Sequence, residues 1–213
     1  MILNPDKPVK LSNLFLFYLL HIGLAFTMRS SQYIGLAQAL LVTLLGFNYI
    51  THQPFKTVMA AGYIVASEAL WRMTKVPILW EYAKYAISAF GLILCLTKGT
   101  KRALLPTVYF FLQIPAVLLL FDLDMSFKAF RSEVSFNLSG PFSLMMCILL
   151  FSKIRFRRAD IHRLFLVMTG PIVGILAITA SGTYKSDVVF GTESNFAASG
   201  GFGPNQVSAA LGL

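Results

Sequence analysis

Long apolar runs recur along this chain, and they constrain its fold more than any other feature of the sequence. A membrane-crossing helix needs about 17–25 mostly apolar residues to traverse a hydrocarbon core ~30 Å thick. Runs of this kind follow one another from Leu11 to Ser181. Charged residues make up only 13% of the chain, against roughly 25% in an average soluble domain. The sequence therefore predicts an integral membrane protein with no soluble domain.

Each apolar run is predicted to be a helix, because backbone groups in hydrocarbon must be paired within their own segment. The predicted fold is an all-α, polytopic transmembrane helix bundle that forms a single domain over residues 1–213. It has about seven spans and the start of an eighth. The predicted spans are Leu11–Met28, Ile34–Ile50, Thr57–Trp71, Ile78–Leu96, Ala103–Phe121, Gly140–Phe151 and Leu164–Ser181, and the eighth begins at Pro204. The sixth is short, and a start nearer Val134 is the alternative.

Two stretches between the spans are predicted to be non-helical. Asp122–Leu138 interleaves apolar and charged side chains, a pattern that suits an amphipathic segment at the outer membrane interface. Gly182–Gly203 is rich in Gly, Ser, Thr and Ala and is predicted to be a long external loop.

The distribution of lysine and arginine predicts the orientation. The strongest basic cluster is Lys153–Arg163, and placing it in the cytoplasm puts 11 of the 18 basic residues there, together with the N-terminus. Basic residues in short loops between apolar runs serve as topology determinants and contact anionic membrane lipids. A nucleic-acid partner is therefore not expected. Cys95 and Cys147 lie inside apolar runs without disulfide or metal-ligand spacing, so no metal is expected.

The predicted outer side collects cations that are candidates for binding phosphate. Arg29 ends the first span, Arg72 ends the third, and Arg131 lies in an outer loop. Guanidinium groups match phosphate oxygens, although arginines at span ends also snorkel to the interface without a ligand. Glu68 lies four residues before Arg72, on the same helix face. This pair is either part of a polar pocket that opens outward or a structural ion pair.

Few polar residues lie inside the predicted spans, and His21, Glu68 and Gln113 are the clearest. A histidine in a helix bundle makes an interhelical hydrogen bond more often than it carries a proton or contacts a substrate. A chain of polar residues through the bundle would favour a transporter.

The last segment carries a helix start. Gly203 permits close backbone approach, and Pro204 suits the first position of a helix. On the predicted topology this helix end faces outward, where its free amides suit an anion. A plain turn-to-helix junction is the alternative interpretation.

Two motifs carry a family resemblance. Residues 199–213, SGGFGPNQVSAALGL, resemble the Gly-Pro-Asn junction of the bacterial O-antigen ligase and polymerase superfamily. Residues 131–141, RSEVSFNLSGP, are similar to a segment of its exopolysaccharide members, and the basic inner loop falls where those proteins have one. The resemblance covers about the last 80 residues, whereas the first 130 match only as hydrophobic spans. Nothing here matches the family's later periplasmic loop, which holds its essential His and Arg.

The resemblance implies a multi-pass glycosyltransferase of the bacterial inner membrane. Such enzymes transfer a glycan from undecaprenyl diphosphate to a lipid or glycan acceptor at the periplasmic face, with inversion and without a nucleotide sugar or metal cofactor. The implied lipid-diphosphate site consists of Arg72, Arg131, Arg29, Gly203 and Asn205, with Glu68 as a supporting residue.

The catalytic residues are expected beyond residue 213. The eighth run covers only about 15 Å at ~1.5 Å per residue, so the chain is expected to be an N-terminal fragment that transfers no glycan alone. The resemblance leaves open whether this chain is itself an enzyme. The alternative is a small polytopic transporter, lipid flippase or scaffold protein without catalysis.

Overall fold

The computed structural model describes residues 10–98, 104–119, 126–152, 154–185 and 203–212, and every regular element in these ranges is an α-helix. The all-α prediction is confirmed for this part of the chain. The eight helices are α1 (Leu11–Ser30), α2 (Gln32–Tyr49), α3 (Pro54–Met73), α4 (Tyr82–Lys98), α5 (Leu104–Leu118), α6 (Phe127–Ser152), α7 (Arg158–Lys185) and α8 (Pro204–Leu211).

Membrane character is visible in both the length and the surface of the helices. Three described helices, α1, α6 and α7, are long and apolar enough to cross a membrane, and α4 and α5 are shorter apolar helices. Large apolar side chains are exposed on them, such as Phe15 on α1 and Leu105 and Leu112 on α5. Soluble monomers rarely expose contiguous apolar surface. A membrane protein is therefore supported, while the count of seven spans stays a prediction.

The chain divides into two compact units. Unit 1 contains Met1–Leu45, Met59–Trp80 and Phe156–Leu213, and unit 2 contains Gly46–Val58 and Glu81–Arg155.

Two glycines let α1 and α7 pack closely in unit 1. A Cβ atom on Gly170 would lie 2.6 Å from His21 Nε2 and 2.7 Å from Phe17 Cζ. A Cβ atom on Gly174 would lie 3.2 Å from the Cβ of Ala25. Gly170 and Gly174 are four residues apart, which is the spacing that brings membrane helices into close contact. Because later residues of α1 meet later residues of α7, the two helices run parallel.

Helix α3 runs in the same direction as α7. A Cβ atom on Gly62 would lie 2.7 Å from Leu164, and one on Gly174 would lie 3.3 Å from Leu70. Later residues of α3 therefore contact later residues of α7, so the two helices run parallel. The C-terminal ends of α1, α3 and α7 consequently lie at one end of unit 1.

Unit 2 is organised around α6, against which both α4 and α5 pack. A Cβ atom on Gly91 of α4 would lie 2.7 Å from the backbone oxygen of Met146, so glycine is required for this approach. Glu81 links the start of α4 to α6, since its Oε2 accepts a hydrogen bond of 3.3 Å from Ser139 Oγ. The apolar core here consists of Cys95, Met145, Met146 and Leu149, with Phe110 and Phe142 packed against it.

The prediction that Asp122–Leu138 is non-helical is wrong from Phe127 onward, because this part belongs to the single 26-residue helix α6. The Ser126 hydroxyl accepts a hydrogen bond of 3.3 Å from the Ala129 amide and caps the helix start. Pro141 lies inside the helix, as membrane helices tolerate. The sixth predicted span therefore begins earlier than Gly140.

Helix α7 is also longer than predicted. It begins at Arg158 because Asp160 Oδ2 accepts a hydrogen bond of 3.0 Å from the Arg157 amide, an arrangement that satisfies the helix start. It ends at Lys185, so the loop predicted over Gly182–Gly203 is wrong for its first four residues. Residues 186–202 of that loop lie outside the described residues.

Candidate functional site

The predicted Glu68–Arg72 pair is formed in the last turns of α3. Arg72 Nε donates to Glu68 Oε1 at 3.1 Å, and Arg72 Nη2 donates to the same oxygen. The side chains of Arg72 and Glu68 are only 13% and 19% exposed. Removal from water strengthens the attraction between the two charges. The Glu68–Arg72 ion pair is therefore formed, and a polar pocket that opens outward beside it stays a prediction.

An aromatic ring covers one face of the Arg72 guanidinium. Its central carbon lies 4.0 Å from the centroid of Trp80, which is 70% exposed. Stacking of this kind attracts the cation to the electron-rich ring face. The pair with Glu68 and the contact with Trp80 together fix the orientation of Arg72.

A tight turn after α3 brings Trp80 back toward Arg72. Lys75 adopts a left-handed conformation with φ 56°. The Val76 amide donates to Trp71 O at 2.8 Å, and the Lys75 amide donates to Arg72 O at 3.1 Å. These two bonds form the Schellman motif that ends many helices. A glycine usually occupies the left-handed position, so a lysine there does not predict this turn from the sequence.

Arg29 lies at the same end of unit 1 as Arg72. It is in the last turn of α1, and its Nη1 donates to Ser181 Oγ of α7 at 3.5 Å. Because α1, α3 and α7 run parallel, the last turns of α1 and α3 share one end of the unit. Two of the predicted cations therefore lie at the same end of unit 1.

The remaining predicted residues are distributed over both units. Arg131 is exposed on α6 and belongs to unit 2. Gly203 is the N-cap of α8 and Pro204 is its first residue, as predicted from the sequence. Asn205 is exposed, and α8 packs against α7. The anion-binding role of Arg131, Gly203 and Asn205 stays a prediction.

A hydrogen-bonded polar chain crosses three helices inside unit 1. His21 Nδ1 lies 2.8 Å from Phe17 O, and His21 Nε2 lies 3.1 Å from the Tyr63 hydroxyl. Gln38 Nε2 donates to that hydroxyl at 2.5 Å. Trp71 Nε1 donates to Gln38 Oε1 at 2.8 Å. This polar chain of side chains links α1, α2 and α3. It confirms the predicted interhelical hydrogen bond of His21.

The sequence did not predict that Gln38, Tyr63 and Trp71 belong to this hydrogen-bonded polar chain. Each is a single polar or amphipathic side chain in an apolar run. The signal that was present is the i, i+8 spacing of Tyr63 and Trp71, which places both on one face of α3. Gln113, the other predicted interior polar residue, is half-buried on α5 of unit 2.

Metal binding finds no support in the part of the chain that the structure describes, where no three His, Cys, Asp or Glu side chains come together. No known protein family, curated protein or solved structure matches this chain. The resemblance to O-antigen ligases and polymerases therefore rests on the sequence motifs alone.

Proposed function

We propose that this chain binds an undecaprenyl-diphosphate-linked glycan at the periplasmic face of the bacterial inner membrane, as the donor-binding part of an O-antigen ligase or polymerase. The motifs at residues 131–141 and 199–213 support this assignment. The structural observation that carries it is the position of Arg29 and Arg72 at one end of unit 1.

The two arginines would contribute to headgroup binding in different ways. Glu68 offsets the charge of Arg72 and holds its guanidinium in place. Arg29 is exposed and contacts an uncharged hydroxyl, so it supplies the larger share of the net positive charge. Trp80, exposed beside Arg72, is of the residue type that is enriched at membrane interfaces. The proposed site therefore combines an exposed cation, Arg29, with an oriented one, Arg72.

Binding of undecaprenyl diphosphate tests the proposal. Purified chain in nanodiscs of zwitterionic lipid is titrated with the lipid, and binding is measured by native mass spectrometry. Arg29→Gln should raise the Kd about fivefold, since a basic residue near a membrane surface contributes ~1 kcal/mol toward an anionic headgroup. The double variant Glu68→Gln/Arg72→Met should raise it at least threefold, because it removes the oriented donors without leaving a lone carboxylate.

Lys56→Gln is the matched control. Lys56 lies in the first turn of α3, 4.7 Å from the Tyr49 ring centroid, so it is also a cation held over an aromatic ring. It occupies the opposite end of the same helix from Arg72, and its replacement should leave the Kd unchanged. Equal effects of Lys56→Gln and Arg29→Gln would indicate non-specific charge attraction and reject the site.

The proposed topology has seven spans, with the N-terminus in the cytoplasm. Helix α7 suits a test because its 28 residues reach ~42 Å at about 1.5 Å each, more than a hydrocarbon core. A reporter active only in the cytoplasm should work when fused after Arg158, and one active only in the periplasm should work after Tyr184. The reverse pattern would overturn the orientation.

A transporter is the second candidate, and the polar chain from His21 to Trp71 is the observation that favours it. Such a chain offers a hydrogen-bonded route through part of an apolar bundle. Proteoliposomes with an internal pH dye and an applied potassium diffusion potential would detect proton flux. Flux that Gln38→Leu abolishes would favour transport, and flux no greater than in empty liposomes would reject proton-coupled transport.

A further inference from the structure

The hydrogen bonds around His21 fix which of its nitrogens carries a proton. The Phe17 carbonyl oxygen, 2.8 Å from Nδ1, can only accept a hydrogen bond, so Nδ1 must donate. In the neutral ring Nε2 is then an acceptor, and the Tyr63 hydroxyl is its donor. The Tyr63 oxygen accepts in turn from Gln38. Neutral His21 is thus satisfied at both nitrogens.

A second acceptor lies beside the Tyr63 hydroxyl. Ser67 is one turn along α3, on the same face, and its hydroxyl neighbours that of Tyr63. Ser67 is fully buried, and its Oγ lies beside the Tyr63 hydroxyl without a close hydrogen bond to any described residue. Most buried hydroxyls in proteins have a partner, so an exception calls for an explanation.

Addition of a proton to His21 explains the position of Ser67. The new proton binds the lone pair of Nε2, and Nε2 then donates to the Tyr63 oxygen. The Tyr63 hydroxyl keeps its own proton, but its O–H bond rotates toward Ser67 Oγ. The Tyr63 oxygen still accepts from Gln38, so the Gln38–Trp71 bond is unchanged. His21, Tyr63, Gln38 and Trp71 therefore keep their hydrogen-bond partners in both protonation states, and Ser67 Oγ gains one when His21 is charged.

We propose that His21 is a proton-binding site inside the helix bundle, and that Tyr63 and Ser67 complete its hydrogen bonds when it is charged. The site does not depend on lipid binding, because none of its residues belongs to the proposed headgroup site.

The groups facing His21 contain no charge among the residues that the structure describes. Helix α7 presents Gly170 to the ring, and α3 presents Tyr63. On α1, Tyr18 is the nearest titratable side chain along the helix, and its hydroxyl bonds Thr169 of α7. Helix α2 contributes only Gln38, which does not titrate. On α3, the charges of Glu68 and Arg72 are paired with each other.

Nitrogen NMR of the full chain tests the site. The chain has three histidines, and replacing His52 and His162, both exposed, with glutamine leaves His21 as the only one. The protein is labelled with ¹⁵N-histidine, placed in nanodiscs and titrated between about pH 5 and 8, the range in which histidine changes charge. We expect the neutral form with the proton on Nδ1 at high pH, and a doubly protonated ring at low pH.

Two buried hydroxyl variants separate the proposal from a purely structural role. Ser67→Ala removes the second acceptor, so the midpoint of the His21 titration should fall by about 0.5–1 pH unit, a three- to tenfold loss of proton affinity. Thr179→Val is the control, because Thr179 Oγ1 is a buried hydroxyl of unit 1 that also lacks a hydrogen bond among the described residues. The midpoint of the His21 titration in Thr179→Val should match that in the parent protein.

Tyr63→Phe gives a second measurement that does not depend on Ser67. Protonated Nε2 then has no acceptor, so the midpoint should fall further than in Ser67→Ala. Three results would each overturn the proposal: a neutral ring with the proton on Nε2, no titration across this pH range, or equal midpoints in Ser67→Ala and Thr179→Val.

Discussion

Replacing Gly170 with leucine should force α1 away from α7 and sharply reduce the yield of folded protein. Even a Cβ atom at this position would lie 2.6 Å from His21 Nε2 and 2.7 Å from Phe17 Cζ. Overpacking a core costs about 1–3 kcal/mol and sometimes more. The displaced His21 would also lose its bond to Tyr63, which adds ~1 kcal/mol. We expect a total loss of about 2–4 kcal/mol, and a smaller loss for Gly170→Ala.

The measurement is the free energy of unfolding in mixed micelles, with size-exclusion chromatography as a check on the fold. Gly23→Leu is the matched control, since Gly23 lies on α1 and a Cβ atom there meets nothing within 4 Å. Leucine at that position should be neutral or slightly stabilising, because glycine is a poor helix former by about 0.8–1 kcal/mol. Similar stabilities of the two variants would refute the close packing of α1 on α7.

The sequence predicted helices well where the length of an apolar run decides the structure and less well where capping decides it. The start of α1 at Leu11 and that of α8 at Pro204 are as predicted. The start of α7 was missed because a single hydrogen bond from Asp160 extends the helix into a basic segment. The start of α6 was missed for the same reason, with Ser126 as the cap.

The parts of the site that depend on local contacts were predicted from the sequence, whereas those that depend on long-range contacts were not. Glu68 and Arg72 are one helical turn apart, so their pairing follows from sequence spacing. The bond between His21 and Tyr63 joins residues 42 positions apart. It depends on how each helix is rotated about its axis, which a weakly amphipathic membrane helix does not reveal. The spacing of Gly170 and Gly174 was the available indication of which faces of α1 and α7 meet.

Replacing Arg72 with methionine should destabilise the protein by about 2–4 kcal/mol, because it leaves the Glu68 carboxylate without its guanidinium. Breaking a buried pair costs ~3–5 kcal/mol, and we expect less here because Glu68 retains 19% exposure. The contact of Arg72 with Trp80 is lost as well. Unfolding free energies of Arg72→Met, Glu68→Gln and the double variant, measured in mixed micelles, form a double-mutant cycle that isolates the pair.

The double variant distinguishes a charge effect from a packing effect. Glu68→Gln/Arg72→Met has no lone carboxylate, and replacing both members of a buried pair is often close to neutral. It should therefore recover most of the stability that Arg72→Met loses. Lys84→Met serves as the control for a more exposed pair, since Lys84 and Glu81 are 39% and 25% exposed. Exposed pairs contribute about 0–1 kcal/mol, so this variant should change little. If the double variant were as unstable as Arg72→Met alone, the loss would come from packing on Trp80 rather than from the charge of Glu68.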